Sequence, residues 1–194
     1  MAYCIVTSFE RAQQKCTTEK GERTMKLLIT IRGNSCSGKT SLAKELQKRF
    51  GRGTMRLSQD VIRREVLHVK DEPNPKSVPL LKLMLEYGHE NAEIVILEGI
   101  MKADWYHELF SYAKELYGDH ILSWYYDLSF EETQSRRDTK PNRDELTDAK
   151  MHLWWTEHDY APEWNEVLLT EEDQISDTAD RIEAMVEALK KSEG

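Results

Sequence analysis

The sequence predicts an α/β fold in which a parallel β-sheet is covered by helices on both faces. Short apolar segments alternate with stretches of helical periodicity, and this alternation is typical of right-handed βαβ units. The first segment, residues 27–31, is almost continuously apolar, as expected of a strand that is buried on both faces. A glycine-containing segment follows it directly and leads into an apolar pattern with helical spacing.

The later elements continue this order. Further strands are predicted at residues 55–57, 94–97, 121–128 and 167–169. Helical spacing is found at residues 42–50, 58–67, 80–87, 105–116 and 179–189. Ser129 with Glu132 has the form of a capping box and predicts the start of one more helix.

Composition narrows the class of protein. A chain of 194 residues is long enough for one domain with a substantial core, and it contains no apolar run of the roughly 20 residues that a membrane helix needs. The net charge is −8, but residues 151–194 hold twelve acidic and three basic residues, so the rest is nearly neutral. That distribution argues against a broad nucleic-acid-binding face.

The termini and cysteines support two further expectations. The first 24 residues lack the apolar stretch of a secretory signal, and we expect them to form an extension outside a single domain of residues 25–194. The three cysteines have no metal-like spacing, and Cys36 lies within the glycine-containing segment, where a thiol is most simply kept reduced. A cytoplasmic location is therefore expected.

The glycine-containing segment carries the strongest functional signal. Residues 33–40 read G-N-S-C-S-G-K-T and match the pattern G-x4-G-K-[S/T]. Glycines let the backbone turn sharply and present N–H groups to phosphates, and the following helix adds its own N-terminal N–H groups. The residues expected to bind ATP are Gly33, Asn34, Ser35, Cys36, Ser37, Gly38, Lys39, Thr40 and Ser41.

Three side chains of this loop have specific expected roles. Lys39 would reach the β- and γ-phosphates, and the hydroxyl of Thr40 would coordinate Mg²⁺. Ser41 would donate a further hydrogen bond to the α-phosphate. The sequence therefore predicts a site for a nucleoside triphosphate with its magnesium ion.

Asp60 is the first candidate carboxylate, because it follows the predicted strand at 55–57. The carboxyl ends of parallel strands gather at the edge where ligands bind. There Asp60 would accept the proton of an attacking hydroxyl, while Arg63 or Arg64 anchors an anionic acceptor. The alternative is that Asp60 only stabilises a helix N-terminus and that the arginines are solvated.

Glu98 is the second candidate, because it ends the strand predicted at 94–97. It would hold a Mg²⁺-bound water or orient Asp60 in the acceptor site. The alternative is a solvated loop acid beside Gly99.

A basic segment, residues 136–143, has four positive charges against one negative and is interrupted by proline. It predicts a mobile flap around residues 134–146 that brings cations over the γ-phosphate, where they would stabilise charge on the equatorial oxygens. A charged surface turn is the alternative. The cations expected to act in this flap are Arg136, Arg137, Lys140 and Arg143.

Four aromatic residues near the C-terminus have an ambiguous role. Trp154, Trp155, Tyr160 and Trp164 would either line an acceptor or base pocket or pack a helix against the flap.

Together these features resemble the small P-loop kinases of the nucleoside-monophosphate-kinase-like group. The nearest likeness is to uridine-kinase-like proteins, and a more distant one is to the zeta-toxin, chloramphenicol phosphotransferase and polynucleotide 5′-kinase families. The resemblance covers about residues 25–190 and rests on the P-loop, the D-x-x-R from Asp60 to Arg63, and residues 95–99 and 130–140.

The resemblance implies a P-loop NTPase three-layer sandwich with a five-stranded parallel sheet in the order 2-3-1-4-5. It also implies that Lys39 and Thr40 bind ATP and Mg²⁺, that Asp60 is the catalytic base, and that Arg136 is a catalytic lid arginine. The chain departs from these families in its first 24 residues and in the acceptor region, residues 68–93.

The expected function is an ATP- and Mg²⁺-dependent phosphotransferase that acts on a hydroxyl of a small-molecule acceptor. Two alternatives stay open: a polynucleotide 5′-hydroxyl kinase, and a nucleotide-binding regulatory module that transfers nothing.

Overall fold

The computed structural model describes residues 25–139 and 146–193, and its centre is one five-stranded parallel sheet in the order β2-β3-β1-β4-β5. This order confirms the expected topology. The strands are β1 (Leu27–Gly33), β2 (Thr54–Ser58), β3 (Ile94–Glu98), β4 (Ile121–Tyr126) and β5 (Val167–Leu169). The predicted extension, residues 1–24, lies outside the described residues, as do Lys140 and Arg143 of the predicted flap.

Helices cover both faces of the sheet, so the predicted three-layer sandwich is confirmed. The helices are α1 (Lys39–Phe50), α2 (Gln59–Val61), α3 (Val78–Asn91), α4 (Ala103–Tyr117), α5 (Phe130–Asp138), α6 (Asp148–Trp154) and α7 (Ile175–Glu193). One apolar core lies between the sheet and α1 with α7, and the other lies between the sheet and α3 with α4. Within residues 25–139 and 146–193, every helix is too short or too polar to cross a membrane.

Strand β1 is the central strand, and all seven of its residues are buried. Leu27, Ile29 and Ile31 face the core of α1 and α7, because alternate residues of a strand point to opposite faces. Thr30 and Arg32 point the other way and are both fully buried. The Thr30 hydroxyl forms a hydrogen bond with the Ser123 hydroxyl at 2.6 Å, so this buried polar group has a partner.

The segment after β2 and the end of β4 differ from the prediction. The helix predicted over residues 58–67 consists of the short helix α2 followed by a π-helical turn, Ile62–Val66. In this segment Ile62 is buried, while Val61 and Val66 are 42% and 62% exposed. Strand β4 ends at Tyr126, two residues earlier than predicted. The predicted cap is confirmed, because the Glu132 N–H donates to Ser129 Oγ at 3.2 Å.

Candidate nucleotide-binding site

The glycine-containing loop joins the end of β1 to the start of α1, as predicted. Its backbone has positive φ angles of 138° at Gly33, 62° at Cys36 and 109° at Gly38. Gly33 also lies against β4, since a Cβ atom there would be 2.8 Å from the carbonyl oxygen of Tyr126. Gly38 occupies the N-cap position of α1 and has no side chain to cap the first turn. The local structure is therefore suited to an anion at the helix N-terminus.

Lys39 folds back across this loop. Its side chain is buried, and its Nζ atom donates to the Asn34 carbonyl at 2.6 Å and to Ser37 Oγ at 3.1 Å. The ammonium group thus lies inside the turn, where a triphosphate would be cradled by the backbone.

Thr40 and Glu98, the two predicted metal ligands, contact each other. The Thr40 hydroxyl donates to Glu98 Oε2 at 3.1 Å, and the Glu98 side chain is only 2% exposed. Its other oxygen, Oε1, is buried and accepts no hydrogen bond from the described residues. The Arg56 guanidinium lies 3.9 Å from that oxygen. A buried carboxylate oxygen without a hydrogen-bond donor, beside a hydroxyl at a P-loop, suits a Mg²⁺ ion with its bound waters.

Asp60 lies just beyond the end of β2, where Ser58 is in register with Glu98 of β3. Its carboxylate is half-exposed and pairs with Arg63 at 2.5 Å and Arg64 at 3.2 Å. Both candidate arginines therefore lie within reach of one carboxylate, and Arg63 is the closer and the more buried of the two.

The two described flap arginines have different surroundings. Arg136 donates from Nη1 to the Ser37 carbonyl at 2.8 Å and from Nε to Glu132 at 2.7 Å. Arg137 instead pairs with Asp138 and Asp148. Arg136 is thus in contact with the P-loop, whereas the Arg137 guanidinium is held by carboxylates of α5 and α6.

A cleft adjoins the P-loop. Its volume of about 380 Å³ is within the usual range for a small-ligand site. It is lined by Cys36, Ser37, Gly38, Lys39, Thr40, Ser41, Arg136, Thr139, Asp173, Gln174 and Ile175. Residues 173–175 were missed by the sequence reasoning. Their signal was available, because they follow the predicted strand at 167–169 at the same ligand-binding edge.

A buried polar cluster beside α2 was also missed. Tyr106 donates its hydroxyl hydrogen to Asp71 at 2.7 Å, and the Gln59 amide donates to the Tyr106 hydroxyl at 2.6 Å. Burial raises the pKa of the Asp71 carboxyl, although the Tyr106 hydrogen bond and nearby Arg63 oppose the rise. Gln59 directly precedes Asp60, so this cluster fixes the start of α2. No local pattern links these residues, which are up to 47 positions apart.

The side-chain amide of Asn34 in the loop donates to the Thr156 carbonyl and accepts from the Thr156 N–H. The remaining loop side chains, Ser35 and Cys36, lie 3.8 Å apart at Oγ and Sγ.

No protein-family model and no curated protein sequence matches the chain. Several solved structures share its fold at low identity. A gluconokinase from Sinorhizobium meliloti has a TM-score of 0.60 and 13% identity, over 88% of this chain and 97% of that one. An APS kinase from Mycobacterium tuberculosis, solved with AMPPNP and APS, has a TM-score of 0.57 and 18% identity, over 84% and 98%. A shikimate kinase from Bacteroides thetaiotaomicron has a TM-score of 0.53 and 16% identity, over 83% and 98%.

The alignments span nearly the whole length of each of these kinases. At these identities the likeness shows a common fold. The chain therefore has the three-layer parallel fold found in P-loop small-molecule kinases, with its glycine-containing loop between β1 and α1.

Proposed function

We propose that the chain is an ATP- and Mg²⁺-dependent phosphotransferase that moves the γ-phosphoryl group of ATP to a hydroxyl of a small-molecule acceptor. The observation that carries the proposal is the contact between Arg136 and the Ser37 carbonyl, which brings a flap arginine to the loop that holds Lys39. A second cation beside the loop is what phosphoryl transfer uses to stabilise charge on the transferred group.

The nucleotide contacts follow from the loop. The backbone N–H groups of residues 33–40 and the Lys39 ammonium bind the β- and γ-phosphates, while Ser41 at the first turn of α1 donates to the α-phosphate. Arg136 stabilises the charge that spreads over the transferred group. Arg137, Lys140 and Arg143 belong to the same proposed flap.

Thr40 and Glu98 would hold Mg²⁺, since they already contact each other and Glu98 keeps a buried oxygen without a hydrogen-bond donor in the described residues. When bound, the ion neutralises charge on the β- and γ-phosphates. The task of the chain is to orient those two ligands, and the register of β2 with β3 does so by fixing the end of β3.

Asp60 would act as the base. The acceptor hydroxyl gives its proton to the Asp60 carboxylate while its oxygen bonds to the γ-phosphorus, and the bond from that phosphorus to the bridging oxygen breaks to release ADP. Arg63 or Arg64, now paired with Asp60, would turn to an anionic group of the acceptor.

Two further features support a small-molecule acceptor in a reducing compartment. The fold neighbours named above are kinases of gluconate, APS and shikimate by their names. Cys36 is a buried free thiol beside the nucleotide cleft, which fits a cytoplasmic location. We assign the kinase domain to residues 25–194 and treat residues 1–24 as an extension.

A metabolite-pool screen tests the proposal. The protein is incubated with ATP, Mg²⁺ and a cell extract stripped of protein, and products that gain one phosphoryl group are identified by mass spectrometry. A parallel reaction contains 5′-hydroxyl oligonucleotides. We expect a phosphorylated small molecule. If only the oligonucleotides gain a phosphoryl group, the result favours a polynucleotide kinase. Tight nucleotide binding without any phosphorylated product would favour a regulatory module.

A further inference from the structure

The residue after the first glycine of the P-loop is bonded to a segment 122 positions away. Asn34 donates from Nδ2 to the Thr156 carbonyl at 2.7 Å, and its Oδ1 accepts from the Thr156 N–H at 3.1 Å. The Asn34 side chain is nearly buried, at 6% exposure. Because both ends of the amide are engaged by protein backbone, this side chain serves the segment that begins at Thr156 rather than a phosphate.

The residue before that glycine is bonded to the same segment. The Arg32 guanidinium is fully buried and donates to Glu166 at 2.8 and 3.0 Å and to Asp159 Oδ2 at 2.9 Å. It also donates to the Met101 carbonyl and lies 4.9 Å from the centre of the Phe110 ring. A buried guanidinium requires such partners, since its transfer from water is costly without them.

The segment of residues 156–166 is also hydrogen-bonded to α4 and β4. The Asp159 carboxylate accepts from the Ala103 N–H at 3.1 Å, at the first residue of α4. The Asp159 N–H donates to the Tyr125 hydroxyl of β4 at 3.1 Å. The segment therefore links α4, β4 and the P-loop through hydrogen bonds that are at least partly buried.

We propose that segment 156–166 is a positioning element of the P-loop, and that Asn34, Arg32 and Asp159 are the positioning residues that connect them. The inference rests on the nucleotide-binding part of the proposed function. Gly33 lies between the two anchored residues and is in register with Tyr126 of β4, at a φ of 138° that glycine adopts far more readily than other residues. The bonds of its two neighbours add to this strand pairing and help to fix the direction in which the loop presents its N–H groups.

This arrangement makes nucleotide affinity depend on a segment that lies outside the P-loop. It also requires the reverse effect, because coupling between two sites is reciprocal. ADP bound at the P-loop must slow the local opening of segment 156–166 by more than it slows exchange through global unfolding, which ligand binding slows throughout the protein. A purely structural segment would show only the second, general effect.

The experiment measures two quantities in the whole protein. Titration calorimetry gives the Kd of ADP with Mg²⁺, and hydrogen exchange followed by mass spectrometry gives the protection of residues 156–166 with and without ADP. The variants are Asp159→Asn, which lies outside the P-loop, and Asn34→Ala. The matched control is Asn91→Ala, because Asn91 makes a similar side-chain amide bond to a backbone carbonyl on the exposed surface of α3.

We expect both variants to raise the Kd of ADP about tenfold and to lose the protection of residues 156–166 by ADP. Asn91→Ala should leave both quantities as in the wild type. A folded Asp159→Asn protein with the wild-type Kd for ADP overturns the proposal, and so does a wild-type protein in which ADP leaves segment 156–166 unprotected.

Tyr125→Phe provides a second route if Asp159→Asn does not fold. It removes only the hydroxyl that accepts from the Asp159 N–H, and we expect a rise in the ADP Kd of about threefold. An unchanged Kd in a folded Tyr125→Phe protein overturns the inference. Failure of the wild-type protein to bind ADP at all overturns the proposed function as well. If the wild type binds ADP and the variants have the same Kd, only the positioning role is overturned.

Discussion

The Thr40 hydroxyl donates to the Glu98 carboxylate at 3.1 Å and so joins the first turn of α1 to the end of β3. One residue belongs to the glycine-containing loop motif and the other to a strand end 58 positions later. Their contact places the two expected metal ligands side by side. Removal of the Glu98 carboxylate should therefore weaken the binding of the metal ion more than the binding of the nucleotide.

Glu98→Gln should weaken metal binding, because the amide keeps the shape of the side chain and loses its negative charge. We expect the Kd of Mn²⁺ in the presence of ADP, measured by electron paramagnetic resonance, to rise by about ten- to a hundredfold. The control is Glu93→Gln, which neutralises an exposed acid just before β3. A Glu98→Gln protein with the Mn²⁺ affinity of the wild type would remove Glu98 from the metal site.

Arg56→Gln should have the opposite effect. The Arg56 guanidinium lies 3.9 Å from the buried Glu98 Oε1, and a positive charge there competes with a divalent cation. We expect the Kd of Mn²⁺ with ADP to fall about threefold or more, while the exposed change Arg52→Gln has no effect. Weaker Mn²⁺ binding in Arg56→Gln would show that Arg56 supports the metal site instead.

Gly33→Ala should destabilise the fold for two separable reasons. The new Cβ would meet the Tyr126 carbonyl oxygen at 2.8 Å, and φ is 138°. Gly53→Ala isolates the second reason, because Gly53 has φ 88° and no atom within 4 Å of the built Cβ. We expect urea unfolding to show a loss of about 1–2 kcal/mol for Gly53→Ala and about 3 kcal/mol or more for Gly33→Ala. Equal losses would mean that the loop can move away from β4.

Asp71 should make the stability depend on pH. Burial raises the pKa of its carboxyl in the folded protein, so the folded state holds this proton more tightly than the unfolded chain, where the pKa is about 3.9. The stabilising contribution is complete below that value and is lost as the pH rises through the folded pKa.

The measurement is the free energy of unfolding of the wild type and of Asp71→Asn from acid to neutral pH. We expect the Asn variant to gain stability relative to the wild type as the pH rises. Asn91→Ala, which changes no titratable group, should give a constant difference. A constant difference for Asp71→Asn as well would contradict the raised pKa.

The fold, and the place of the candidate loop within it, could be predicted because their signals are local. The apolar run at residues 27–31, the loop motif at 33–40 and the helical spacing after it lie within one short stretch, and each has a direct physical cause. The strand ends then placed Asp60 and Glu98 on one edge of a parallel sheet, and the structure has β2 and β3 side by side.

The rest of the site depends on pairs that are distant in sequence. The bonds of Arg32 to Glu166 and of Asn34 to Thr156 span 134 and 122 positions, so no periodicity or spacing could reveal them. The sequence allows two roles for the four aromatic residues near the C-terminus. Trp164 takes neither of them, because it is buried against Phe110 with ring centres 4.1 Å apart and packs in the core on the α4 face.

The most direct test of the proposed reaction is the transfer of radiolabelled γ-phosphate from ATP to the acceptor found by the screen, compared between the wild type and Asp60→Asn. We expect Mg²⁺-dependent labelling by the wild type, a fall of about a hundredfold or more in Asp60→Asn, and ADP binding that the variant retains. Full transfer by Asp60→Asn would contradict the assigned base. Tight nucleotide binding by the wild type with no labelled product would contradict the kinase itself.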